Sequence, residues 1–335
     1  MEAAGITAGG IGLDQVRSAR KFGISVILLT ILFRVFELGL PQKALRSVNW
    51  PSAGQIEKET ERAVRSFSFP FPFESSPPTD YTPEPVRPVF TAGDIQAVEV
   101  VSASREEADC EALMESPLTW NLVGSGPTVL IVHTHTSESY EKNGADYQET
   151  AAYRTLDENY NMLSIGDRVA ELLEAEGIRV IHDREFHDYP DYNTAYTHAR
   201  KGVQSLLKQN PGIQLVLDLH RDASESSGSQ LRTHALVNGA DSSQLMIVLG
   251  TGNSGLPNEG WEDNLSLALK LQATLEGQAP GICRPISLRS QRFNQDLAPH
   301  ALLVEVGAAG DSHEEALVAA EQLAKALAVL KYGTE

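Results

Sequence analysis

The sequence predicts an α/β protein, a mostly parallel sheet with helices on both faces, preceded by a membrane anchor and a proline-rich stalk. Three observations lead there. Several short runs after Thr128 are β-branched and leucine-rich without polar alternation, as strands covered on both faces are. Stretches with helical periodicity separate these runs, which is the pattern of βαβ units. Ahead of them, residues 22–40 are mainly apolar and residues 41–115 are broken repeatedly by proline.

At the N-terminus, Arg17, Arg20 and Lys21 flank the apolar stretch 22–40, which Arg34 and Glu37 interrupt. A bilayer needs about 20 apolar residues, so the stretch reads as an anchor, against a signal-peptide core or an amphipathic helix. The preceding basic residues put the N-terminus in the cytoplasm and everything after Leu40 outside. No small-residue cleavage pattern follows Leu40, which favours an uncleaved single-pass anchor in the cell membrane. Next come Phe69-Pro70-Phe71-Pro72-Phe73 and further prolines up to Pro88, where regular structure cannot persist and the chain gains reach. The expected organisation is therefore 1–40 tail and anchor, 41–115 extracytoplasmic stalk and 116–335 catalytic domain.

Within that domain, the strand at Val129–Val132 breaks into histidines, hydroxyls and Glu138. Thr155 with Glu158 three residues on has the form of a capping box, followed by an apolar stripe through Met162, Ile165, Val169 and Leu172 to Gly177. A strand is expected at 178–181, a helix at 196–209 and a strand at 215–222. Residues 234–237 and 246–249, joined by 238–243, read as a hairpin or edge pair. A helix at 261–275, an irregular basic-leaning segment at 280–297, a strand at 301–307 and a closing helix at 314–330 complete the chain.

The formal net charge of −18 over 335 residues argues against nucleic acid as a partner, because that affinity needs clustered lysine and arginine. Two cysteines, Cys110 and Cys283, rule out a disulfide framework and a cysteine zinc site by count.

Parallel sheets place ligands at the carboxyl ends of their strands, and three strand-like runs carry chemistry there. His135 and Glu138 follow the first, His220 lies in the second and Glu305 in the third. A His-x-x-Glu pair, a distant histidine and a strand-borne glutamate suit a mononuclear zinc hydrolase. Three protein ligands leave one position for water, and a fourth carboxylate takes that water's proton. Glu305, between Val304 and Val306, is the expected base, its pKa raised by desolvation. His133 competes with His135, one binding metal while the other orients a ligand or contacts substrate. Arg221 is a candidate to hold a substrate carboxylate or polarise the scissile carbonyl, and Asp222 to orient an imidazole, unless the two pair elsewhere. Arg292, Asn294 and Gln295 are candidates for a substrate groove.

Residues 133–140 (HTHTSESY), 154–161 (RTLDENYN), 218–223 (DLHRDA), 292–297 (RFNQDL) and 304–309 (VEVGAA) together, in order, resemble the stage II sporulation protein P family. That resemblance implies a zinc-dependent peptidoglycan hydrolase related to the N-acetylmuramoyl-L-alanine amidases, acting in endospore engulfment and associated also with stem-peptide endopeptidase cleavage. It implies a complex with the other two engulfment proteins, a lytic transglycosylase and a membrane scaffold. His135, Glu138 and His220 would be the zinc ligands, an arrangement similar to the zinc carboxypeptidase pattern. The amidase relatives take their carboxylate ligand from the following helix, a place Asp157 or Glu158 occupies here, so two carboxylate assignments stand open. A peptidoglycan-binding module that has kept the fold without catalysis is the reading from another class.

Overall fold

A computed structural model describes residues 84–226 and 229–335; the expected anchor and residues 41–83 of the expected stalk lie outside them. Thr82–Glu335 forms one compact unit. Its strands β1 (Val100–Ser102), β2 (Val129–Val132), β3 (Val180–His182), β4 (Leu215–Asp222), β5 (Leu245–Gly250), β6 (Ile286–Arg289) and β7 (Ala301–Ala308) build one sheet. The spatial order is β1-β6-β5-β7-β4-β2-β3, and every neighbouring pair is parallel except β5 with β7. The helices are α1 (Cys110–Glu115), α2 (Met162–Ala175), α3 (Ala195–Gln209), α4 (Trp261–Gln278) and α5 (His313–Val329).

Successive strand residues point to opposite faces, and both faces are covered as the sequence predicts. Val129, Ile131, Leu215, Leu217, Leu219, Ile247, Val304 and Val306 enter the main core with α2, α4 and α5. Leu130, Val132, Val216 and Ala301 face the other way, under Val203, Leu206 and Leu207 of α3.

The expectations fail in four places, each for a local reason. Thr155 does not cap α2. Its hydroxyl donates to the Gln148 carbonyl (2.6 Å) within a ribbon of Glu149–Ala151 and Arg154–Thr155, and Asn161 caps the helix by accepting from Leu163 N (3.0 Å). Residues 234–237 and 246–249 do not pair with each other. Ala235–Val237 turns through Asn238 and Gly239, both at positive φ, to pair with Ala240–Ser242, which frees the fully apolar β5 for the middle of the sheet. The segment 280–297 contains β6, whose Ile286 and Leu288 are buried.

The fourth correction concerns the boundary at 115, because the described part of the expected stalk belongs to the fold. β1 pairs with β6, Met114 of α1 is fully buried, and Phe90, Ile95 and Val98 pack on the main core. Proline punctuation stops at Pro88, and the fold takes over from there. Both cysteines are free thiols. Among the described residues, no helix is long and apolar enough to cross a membrane.

Candidate metal centre

β2 ends at Val132 and the chain turns at once, so His133 and His135 do not keep the shared phase that a continuing strand would give them. His133 points under α2, where Nδ1 donates to the Leu219 carbonyl (2.9 Å) and Nε2 meets His182 Nε2 (2.8 Å). Gly166 of α2 makes room for it, since a Cβ there would come within 2.6 Å of His133 Nε2. Burial lowers the His133 pKa to about 3, so this histidine is a neutral core residue on the far face.

The turn is pinned by two carboxylates. Thr134 donates to Asp218 through its backbone N (2.8 Å) and hydroxyl (2.6 Å), while the Ser137 hydroxyl donates to Asp188 (2.6 Å). His135 is thereby delivered to the α3 face. Its ring stacks on Tyr192 (4.3 Å between centroids, 17° between planes) and meets His220 edge-on at 5.4 Å. His135 Nδ1 is buried with no hydrogen-bond partner, and burial lowers the pKa.

His220 and Glu305 are register partners on adjacent parallel strands, so they share that face. His220 Nδ1 lies 3.5 Å from Glu138 Oε2, and its Nε2 lies 2.9 Å from Asp218 Oδ1. Burial alone would lower the His220 pKa, but Asp218 and Glu138 outweigh it and hold the pKa well above the ordinary value. For Glu138, burial opposes ionisation, yet Arg221 and His220 bring its pKa down to about 2. Glu305 has the reverse environment. Desolvation raises it to about 8, and Oε2 is buried without a partner.

Arg221 does not have the free guanidinium that a substrate-holding role would need. Nε donates to the Ser139 carbonyl (2.9 Å), Nη2 to the Tyr153 carbonyl (2.9 Å), and Nη1 lies 3.4 Å from Glu138. It holds the loop that carries Glu138. Asp222 pairs with Arg284 at 2.7 Å. Asp157 accepts from the Asn159 backbone (3.1 Å) and Glu158 pairs with Arg184 (2.6 Å), so of the three carboxylates weighed as ligands it is Glu138 that stands beside His220. Arg292 pairs with Asp296 at 3.1 Å. Gln295 closes the end of β5 through Gly250 N and the Val248 carbonyl, and Asn294 donates to the Tyr196 carbonyl. Sequence reasoning missed Asp218, although it sits two residues before His220 and so on the same strand face. It also missed Tyr192 and Tyr196, four apart at the head of α3; Tyr196 meets His135 at 5.6 Å.

Residues 52–328 match the family described as stage II sporulation protein P. The chain belongs to that family. Stage II sporulation protein P of Bacillus subtilis (strain 168) is 23% identical over 273 residues, covering 77% of this chain and 65% of the relative, so the chain spans just under two thirds of that relative's length. Among solved structures, N-acetylmuramoyl-L-alanine amidase AmiC2 of Nostoc punctiforme is 16% identical, with 62% of this chain and 98% of that chain covered at a TM-score of 0.35. The CwlD amidase from Clostridioides difficile, in complex with the GerS lipoprotein, is 16% identical, with 61% of this chain and 98% of that chain covered at 0.39.

Among the described residues, one set of three potential ligands, Asp183, Glu185 and His187, has its atoms within 4.8 Å of one another. His187 Nε2 is already engaged by Asp183 at 3.0 Å, and Glu185 is exposed. His135, Glu138 and His220 do not all come that close to one another, but one pair among them already has the spacing that a cation needs. Two ligand atoms on one tetrahedral zinc lie roughly 3.3–3.5 Å apart for bonds of about 2.0–2.1 Å, and the Nδ1 to Oε2 separation is 3.5 Å. Asp218 lies 2.9 Å behind Nε2, the place of an outer carboxylate that would orient the imidazole on a metal. His135 Nδ1 supplies a buried nitrogen with nothing else to bind.

Proposed function

We propose that this chain is a membrane-anchored, zinc-dependent peptidoglycan hydrolase of the N-acetylmuramoyl-L-alanine amidase type, with its catalytic domain outside the cell membrane and a role in endospore engulfment. Family membership supports the sporulation setting, the wall substrate and a complex with a lytic transglycosylase and a membrane scaffold. One observation carries the chemistry: His135 and Glu138, just past the carboxyl end of β2, lie with His220 and Glu305, near the carboxyl ends of β4 and β7, around polar atoms left without partners.

In this reading His135, Glu138 and His220 hold the zinc, Asp218 orients His220, and Thr134 holds Asp218. When bound, zinc supplies Lewis acidity toward the scissile carbonyl and lowers the pKa of water. Glu305 does the proton work. With its pKa raised to about 8 by desolvation, Oε2 can take the proton of the attacking water and return it to the leaving amine at near-neutral pH. Cleavage would fall between the lactyl carbonyl of the glycan and the first stem residue. The same residues would serve stem-peptide endopeptidase cleavage if a peptide carbonyl took that place.

Elemental analysis of the purified protein, paired with release of soluble fragments from isolated cell wall, tests the reading. About one zinc per chain is expected, with His135→Ala, His220→Ala and Glu138→Ala each losing both metal and hydrolysis, and Asp157→Ala keeping both. Hydrolysis that persists in His135→Ala or His220→Ala would sink the assignment. Wall binding without cleavage in the zinc-loaded wild type would make the domain a binding module.

A further inference from the structure

Arg154 is a cation beside the candidate centre whose side chain has, among the described residues, neither a hydrogen bond nor a carboxylate partner. Its backbone forms a bridge with Glu138, which fixes it at the rim of the site. The guanidinium carbon lies 3.8 Å over the Tyr192 ring, and the other partner of that ring is His135, stacked at 4.3 Å. His135, Tyr192 and Arg154 thus form a ladder from candidate ligand to free cation. Nε is buried with no partner, so its donor has been desolvated without compensation. Natural proteins keep such an orphan where something else completes it, and a planar guanidinium on an aromatic shelf is pre-organised for a bidentate carboxylate. Arg221, the arginine that sequence order favours for this task, has its donors spent on two carbonyls and Glu138.

The spacing says where on the substrate that carboxylate would be. Two ring layers of 3.8 and 4.3 Å separate the guanidinium from His135, and two residues of extended peptide cover about 7 Å. We infer that Arg154, shelved on Tyr192, is a specificity-determining residue that binds a carboxylate carried by the stem peptide two residues from the scissile amide. This rests on the hydrolase reading above and adds to it a preference for an acidic over an amidated stem.

The test uses two synthetic muramoyl peptides that differ only in the residue second from the muramoyl group, which carries either a free carboxylate or a carboxamide. The full-length zinc-loaded wild type should favour the carboxylate in kcat/KM by on the order of ten- to a hundredfold, the range of one charge-assisted hydrogen-bond pair. In Arg154→Gln that ratio should collapse toward one, and in Arg154→Lys, which keeps charge but not the planar fork, it should fall in between. A wild-type ratio near one, or a ratio kept in Arg154→Gln, overturns the inference and leaves Arg154 a structural shelf partner. If the wild type cleaves neither peptide, the hydrolase reading fails separately. Calorimetric Kd values for the same peptides on wild type and Arg154→Lys then decide the carboxylate site, and equal affinity for the two peptides, or no binding of either, overturns it.

Discussion

Two glutamates in one cleft are driven to opposite protonation states, and the residues beside them explain the split. Glu138 has Arg221 and His220 against it and falls to about 2, while Glu305 has no hydrogen-bond partner at Oε2 and rises to about 8. A permanently ionised carboxylate suits a ligand, and one that titrates near neutrality suits a base. Glu305→Gln keeps the shape and removes the proton acceptor, so it should retain zinc by elemental analysis while wall hydrolysis slows by on the order of 10² to 10⁴. Loss of metal from this variant would make Glu305 a ligand instead. The sequence made the meeting of His135, Glu138, His220 and Glu305 legible because each lies at or near the end of an apolar run. The opposed fates of His133 and His135 were not legible, since they depend on a turn that begins right after Val132. Nor was the engagement of Arg221, whose two carbonyl partners come from loops far away in the chain.

Among elements, the long periodic ones matched expectation to within a few residues, as with α3, α4 and α5, because an apolar stripe several turns long has few competing readings. β1 and β6 escaped because Glu99 and Ser102 bracket one and Ser287 and Arg289 interrupt the other, so neither shows the unbroken apolar run that marks β2. Contacts between such elements hold one feature that composition does not reveal. Lys270 of α4 is buried against α1, where Nζ donates to the Leu113 carbonyl (2.6 Å) and the Ser266 hydroxyl (2.9 Å), with no counter-charge among the described residues. Burial lowers its pKa to about 8, against about 10.4 for an unfolded lysine. Between those values the unfolded chain holds a proton that the folded protein has released, so this group makes stability rise with pH across that window. Below about pH 8 the cost of burying the charge is fully present. The two cysteine thiols, both raised by burial, pull the other way. The expected observation is therefore a difference: urea midpoints of wild type minus Lys270→Met should climb from pH 8 to pH 10, and a flat difference would mean that Lys270 does not titrate in that range.

For the molecule as a whole, composition located the proline-rich region and the folded core but put the border between them too late. The dense proline cluster ends at Pro88, yet the segment up to Glu115 lacks the long apolar runs by which a core is recognised, so it read as more stalk. Its role appears only in what it covers. β1 closes the open edge of β6, α1 buries Met114 against the main core, and Leu113 offers its carbonyl to Lys270. A fragment starting at 116 would expose a bare sheet edge, which is a template for association. It would also strip the one acceptor outside α4 from a buried ammonium, and lose the burial of Met114, worth about 1.5–3 kcal/mol alone. A fragment starting at 84 keeps all three. Residues 84–335 should thus express as soluble protein with one cooperative urea transition, whereas residues 116–335 should aggregate or unfold at a clearly lower urea concentration. Equal midpoints for the two fragments would show that β1 and α1 are dispensable, and would return the border to where composition put it.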